Sequence, residues 1–225
     1  MIVKGLHHAV DYLGGMWPPD FSILPRLARP LVETIQMAIT GTSLATVVAV
    51  PLSFLAARNV TPPSITTPTR GVINFLRAIP TLVWAILFVA IVGLGPLAGV
   101  FAITIHCIGT LGKYFSEGLE AITPEVKEIL EAMRVDGAHE RQVMYYGLLP
   151  AVLPLFLGFV LYHLESNIRS ATVLGMVGAG GIGLHLTQTI RLFKRHQTLT
   201  AILVILGTVL IMDALSWQIR KRFLS

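Results

Sequence analysis

AIPTLVWAILFVAIVGLGPLAGVFAITIHCIGTLG, residues 78–112, runs for 35 positions without an Asp, Glu, Lys or Arg. A soluble domain has no use for so long an uncharged block, whereas about 20 apolar residues of helix cross a bilayer. Gly93-Leu94-Gly95-Pro96 sits near its middle, and a Gly/Pro cluster of that kind marks a tight turn. The block therefore reads as parts of two membrane spans joined by a turn.

Working outward, three more stretches have the same character. Residues 31–57 carry one carboxylate, Glu33, and residues 148–164 and 198–212 carry no charge. Over the whole chain 54% of the 225 residues are hydrophobic and 13% are charged, about half the charged share of a soluble domain. The expected fold class is an all-α membrane protein with about five transmembrane helices. The spans fall near Leu31–Ala57, Gly71–Val92 with a kink at Pro80, Leu97–Leu119, Leu148–Asn167 and Leu199–Trp217. A Pro- and Thr-rich loop, Thr61–Pro68, is expected between the first two. Residues 1–30 read as an N-terminal segment lying along the interface with Trp17 as headgroup anchor, and Met1–Gly15 lacks the apolar core of a signal peptide. Residues 31–222 form the transmembrane domain. Cys107 is the one cysteine, so no internal disulfide is available. The net charge of +5 suits anionic headgroups and calls for no nucleic acid.

Two stretches are not span-like. The polar segment 120–146 reads as amphipathic helix. Residues 175–183, GMVGAGGIG, place Gly178, Gly180, Gly181 and Gly183 in a G-x-G-x-x-G pattern. A dinucleotide site needs a strand before that pattern and an acid about 20 residues after it. Here a membrane span precedes it, and the next carboxylate is Asp213. No G-x-x-x-x-G-K-[ST] loop occurs either, so the chain lacks that phosphate grip. The glycines serve either as a flexible connector or as a close-packed segment beside a translocation path, since glycine lets another backbone or a solute approach.

EAMRVDGAHERQVMYYGLLP, residues 131–150, resembles the E-A-A-x-x-x-G…L-P signature of inner-membrane permeases of bacterial ABC importers. Glu131, Ala132, Gly137, Leu149 and Pro150 carry the likeness. Met133 departs from it at the second Ala, and Gly147 stands where Ile is usual. The resemblance implies a type I importer permease fold in which residues 120–150 form a cytoplasmic coupling helix docked on a separate ATPase. Arg134 and Asp136, with Glu131 and Arg141, then make charge-assisted contacts to that partner. LYHLESNIRSATVLGMVGAGGIG (161–183), RAIPTLVWAILFVAIVGLGPLAGVFAITIH (77–106) and LGKYFSEGLEAI (111–122) are similar to phosphonate-transport permeases. This implies a homodimer, a cytoplasmic ATPase dimer and an extracytoplasmic phosphonate-binding protein. ATP and Mg belong to the ATPase, and no cofactor belongs to this chain. It also implies a plasma (inner) membrane location with the N-terminus outside and the C-terminus cytoplasmic. Counting Lys and Arg by side gives nine against seven for the same orientation.

The expected function is the translocation path for a phosphonate or related phosphorus oxyanion, with methionine, the solute of a related permease, as alternative. Arg77, Glu165, Asn167, Arg169, Ser170, Gly178, Gly180 and Gly181 are the path candidates. Each charged one has a second reading. Glu165 and Arg169, at i and i+4, neutralise one another, and Arg77 snorkels to the headgroups. His106 and His163 read as helix-packing hydrogen-bond donors. The competing class, a membrane-embedded enzyme using His106, His163, Glu165 and Arg169, needs a converging catalytic set that the spacing does not provide. No Cys/His/Asp cluster has metal-site spacing.

Overall fold

The computed structural model describes residues 12–224. The last seven residues of the expected interfacial segment 1–30 belong to the first long helix, and residues 1–11 of it lie outside the described residues. Trp17, within them, is 72% exposed. Every regular element among the described residues is helical. The helices are α1 (Leu24–Ala56), α2 (Pro63–Ala78), α3 (Thr81–Val92), α4 (Pro96–Glu120), α5 (Pro124–Val135), α6 (Glu140–Gly175), α7 (Gly181–Arg191) and α8 (Arg195–Leu224). Four of them are long and apolar enough to cross a membrane, and a broken pair, α2 with α3, raises the number to five.

Prolines account for two of the differences from the expected boundaries. The segment expected as a loop, Thr61–Pro68, is largely the start of α2. Pro63 takes its first position, where the missing N–H would have no partner and φ is already helical. The second span is broken at Pro80, not kinked there. Ile79 is extended (φ −87°, ψ 120°), because the ring of a following proline excludes the helical region. Helix α1 starts seven residues before the expected Leu31, and the Thr34 hydroxyl donates to the Pro30 carbonyl at 2.9 Å. The fourth span continues past Asn167 to Gly175, and the stretch between it and the fifth span contains the helix α7.

The chain forms two compact units. The first takes the chain up to Gly41 with Thr81–Ile103 and Glu165–Ala214. Its cores are Met37, Ala85, Ile103, Ala171, Leu174 and Ala179, and separately Ile23, Leu27 and Ala201. The segment before α1 is tied to the start of α8. The Asp20 N–H donates to the His196 carbonyl, and His196 Nδ1 lies 2.8 Å from the Pro18 carbonyl.

The second unit takes Thr42–Pro80, Thr104–Leu164 and Leu215 onward. Phe115 and Phe156 stack at 4.1 Å between centroids, in a core with Leu111, Leu119, Leu130, Val143 and Leu148. Gly109 lets the backbone of Ile73–Arg77 close on α4, since a Cβ there would lie 2.7 Å from the Arg77 nitrogen. The loop after α1 is closed by Glu120, which accepts from the Arg58 N–H at 2.6 Å and pairs with the Arg70 guanidinium. Arg70 also donates to the Ala56 carbonyl at 2.8 Å. Glu120→Ala removes the acceptor of the Arg58 N–H and the ion-pair partner of Arg70 at a partly exposed site and is expected to cost about 1 kcal/mol, read as a lower melting temperature in detergent. An unchanged melting temperature contradicts that role.

Candidate functional site

The expected coupling segment consists of α5, a reversal and the first turn of α6. Helix α5 is amphipathic in the simplest sense: Leu130 is buried, while Glu131, Ala132, Arg134 and Asp136 are exposed. It ends in a Schellman motif. The Ala138 N–H donates to the Met133 carbonyl at 3.0 Å, and the Gly137 N–H to Arg134 at 3.1 Å. Gly137 holds φ +87°, and Ala138 and Met133 both pack on the core below. The sequence signature's glycine is thus explained by backbone geometry. The chain reverses with its polar residues outward, a compact, solvent-facing knuckle.

Arg134 reaches across the reversal to Glu140, with contacts of 2.8 and 3.2 Å. The pair is exposed, so it shapes the surface and adds little to stability. A cleft of about 250 Å³ opens beneath, lined by Asn59, Lys127, Glu131, Arg134 and Glu140 around Leu130 and Val143. Val143–Leu148 then forms a π-helical stretch, and Leu149 and Pro150 stand where α6 resumes α-helical geometry. The Leu149 N–H donates to Met144 five residues back. Insertions of this sort concentrate at functional sites.

Gly137→Val tests the knuckle. No atom lies within 4 Å of a Cβ added there, so the cost is conformational, about 1–2 kcal/mol for a side chain at positive φ. The protein should remain in the membrane at normal level while solute-stimulated ATP hydrolysis by its complex falls. Normal stimulation at normal expression would remove Gly137 from the coupling role.

The glycine stretch is a buried, close-packed turn, which overturns the flexible-connector reading. Gly175, Gly178, Gly180, Gly181 and Gly183 are all buried. A second Schellman motif closes α6: the Ala179 N–H donates to Leu174 at 3.2 Å and the Gly178 N–H to Gly175 at 3.1 Å, with Gly178 at φ +97°. Gly180 and Gly181 also hold positive φ, +79° and +70°, and turn the chain into α7. Thr34 caps that helix by accepting from the Ile182 N–H at 2.8 Å. The Gly95 N–H donates to the Gly178 carbonyl at 2.9 Å, so the expected turn at 93–96 packs on the glycine turn. A Cβ at Gly180 would lie 2.9 Å from both Glu33 Oε1 and the Pro96 nitrogen, and one at Gly183 would collide with the Thr172 carbonyl.

Arg169 and Ser170 line a groove of about 390 Å³ with Thr81, Leu82, Ser166, Val173 and Leu174. Arg169 is paired twice, with Glu165 at 3.2 Å and Asp213 at 3.3 Å. Its side chain is 44% exposed, that of Glu165 12% and that of Asp213 40%. One formal positive charge therefore meets two negative ones, and the trio joins α6 to α8. The i, i+4 pairing expected from sequence is present. Asp213 was missed, although a carboxylate inside an apolar span is itself a signal that a partner exists. Thr34 was missed as well, because a threonine in a membrane helix has no distinctive pattern. Asn167 is buried at 5% exposure. Arg77 occupies the last turn of α2, a favourable place for a cation at a helix C-terminus, and is not among the residues lining the groove.

Comparison with known proteins matches residues 49–224 to the family described as the binding-protein-dependent transport system inner membrane component. The phosphite transport system permease protein PtxC of Stutzerimonas stutzeri is 40% identical over 223 residues, covering 99% of this chain and 80% of the relative. The putative cryptic phosphonate transport system permease protein PhnE2 of Escherichia coli (strain K12) is 46% identical over 123 residues, 55% of this chain and 98% of the relative. Among solved structures, inward facing MetNI methionine ABC transporter matches with a TM-score of 0.75 at 22% identity, over 91% of this chain and 99% of that one.

Proposed function

The chain belongs to the family of inner membrane components of binding-protein-dependent transport systems, and from that premise we propose that two copies of it form the translocation path of an ATP-driven importer for phosphite or a phosphonate. The observation that carries the solute class is the likeness to a phosphite permease, 40% identical over 99% of this chain. The methionine transporter, at 22% identity, shares the fold and lends no support to methionine as the solute.

Each part of the site has a place in this reading. The knuckle around Gly137, with Glu131, Ala132, Arg134 and Asp136, docks on a cytoplasmic ATPase dimer that binds ATP and Mg. Movement there passes through the π-helical stretch to Leu149 and Pro150 and so into α6. That docking puts the C-terminus in the cytoplasm and Trp17 on the outer side, where the solute arrives on a binding protein. The groove at Arg169, with Ser170 and the glycine turn at 178–181, lies along the path, and Arg77 adds positive charge. Desolvating an oxyanion costs far more than apolar walls return, so a passing solute needs water, oriented N–H groups or fixed positive charge. Glu165 and Asp213 outnumber Arg169 in formal charge, so the guanidinium cannot hold the solute tightly and release is not slowed.

Growth tests the solute class. A host lacking its own phosphite uptake but able to oxidise phosphite should grow on phosphite as sole phosphorus source only when this chain is supplied with its ATPase and binding protein. Failure on phosphite and on methylphosphonate, with all three proteins present in the membrane fraction, counts against the reading.

A further inference from the structure

Among the described residues, His163 Nε2 is the one buried side-chain polar atom without a hydrogen-bond partner. The other histidine contacts in the chain show how differently the rest is arranged. His106 Nδ1 lies 3.1 Å from the Ile79 carbonyl, and His196 Nδ1 lies 2.8 Å from Pro18. Hydroxyls on the membrane helices bond back to their own helix, as Thr46, Ser53, Ser116 and Thr208 do. The buried His163 Nε2 has no such local partner, and a polar atom left unmet in the interior is costly.

The ring is nonetheless held in a defined orientation. It packs against Tyr114 of α4 at 5.5 Å between centroids and edge-on to Tyr162 at 5.6 Å. Tyr114 in turn stacks on Phe159 at 5.4 Å. Tyr114 and Tyr162, 36% and 50% exposed, carry the contacts of the ring out to the surface of the chain. On α6 His163 shares a helix face with Ser166 and Ser170, three and seven residues on.

We infer that His163 Nε2, framed by Tyr114 and Tyr162, is a transient contact point for an oxygen of the phosphorus oxyanion. The inference rests on the proposed function and names a site within it. The chemistry fits a station in a path. Imidazole donates to P–O⁻ in one tautomer and accepts from P–OH in the other, and it does so without the fixed charge that turns a contact into a trap. Tyr hydroxyls supply further donors at the rim.

The test uses the full importer, this chain with its ATPase and binding protein, in proteoliposomes containing ATP, with labelled phosphite as probe. His163→Gln keeps an amide that reaches the Nε2 position. His163→Phe keeps the ring packing against Tyr114 and removes the nitrogen. We expect His163→Gln to retain most phosphite uptake. His163→Phe should lower it more than about tenfold, a loss of about 1.4 kcal/mol in the limiting step, at unchanged basal ATP hydrolysis and an equal or higher melting temperature. Wild-type uptake by His163→Phe overturns the contact. So does equal loss in both variants accompanied by a lower melting temperature, which assigns His163 to packing, or loss of dimer with no loss per dimer, which assigns it to the second copy. Wild-type protein reports separately on the solute class. If it takes up neither phosphite nor methylphosphonate, the proposed function fails and the oxyanion contact with it.

Discussion

Gly180→Leu is expected to reduce solute uptake by the assembled importer to background while the chain still reaches the membrane and binds its ATPase. Gly180 holds φ +79° with ψ −166°, a region that residues other than glycine occupy only at a cost of about 1–3 kcal/mol. Its missing Cβ would stand 2.9 Å from Glu33 Oε1 and from the Pro96 nitrogen, and overpacking of this kind adds about 1–3 kcal/mol. Those strains fall on the junction of α1, the 93–96 turn and α7, where backbone contacts leave no slack. The coupling knuckle belongs to the other compact unit, so ATPase binding should survive. Gly71→Ala is the control, since open space surrounds that position. Uptake by Gly180→Leu at the wild-type rate would mean that the turn is not part of the moving or conducting machinery.

The second large effect is expected at Arg169. Arg169→Gln leaves Glu165 and Asp213 without the guanidinium they share, on helices surrounded by lipid or protein. Removing one partner of a fully buried ion pair costs about 3–5 kcal/mol. With Arg169 and Asp213 nearly half exposed, water replaces much of the lost pairing and the cost falls well below that range, Glu165 at 12% exposed bearing most of it. Transport should fall more than about tenfold, and the pattern of rescue decides why. If Arg169 acts only as a tie between α6 and α8, the triple change Glu165→Gln, Asp213→Asn and Arg169→Gln removes all three charges and restores transport. If the guanidinium also attracts the solute, the triple variant regains stability and stays slow. Asp213→Asn alone then separates the two further. It frees part of the positive charge, so apparent affinity for phosphite should rise while the maximal rate drops, because a tighter anion site releases slowly. A rise in both, or no change in either, contradicts a path role for this groove.

The membrane class and the number of spans were legible because charge-free runs such as 78–112 admit few other readings. What was not legible followed from proline and glycine in context. Pro63 and Pro68 looked like loop residues, yet Pro63 begins a helix, where a missing N–H costs nothing. Pro80 looked like a kink, yet the extended Ile79 ends one helix outright. Gly137 and Gly178 turned out to play the same part, each the left-handed residue of a Schellman motif closing a helix. Sequence pattern alone places one in a coupling signature and the other in a glycine run that reads as a connector or a path-side segment. The Glu165–Arg169 spacing was readable because i, i+4 neighbours share a helix face. Asp213 lies 44 residues from Arg169, and single-sequence periodicity carries no information at that separation.

The central claim is that this chain conducts a phosphorus oxyanion under the drive of ATP hydrolysed by its partner. The direct measurement is uptake of labelled phosphite into proteoliposomes holding the chain, its ATPase and its binding protein, with and without ATP. The account predicts phosphite accumulation that requires ATP and binding protein together, competed by methylphosphonate and not by methionine. Accumulation of methionine in place of phosphite, or phosphite entry that proceeds equally without ATP, would contradict it.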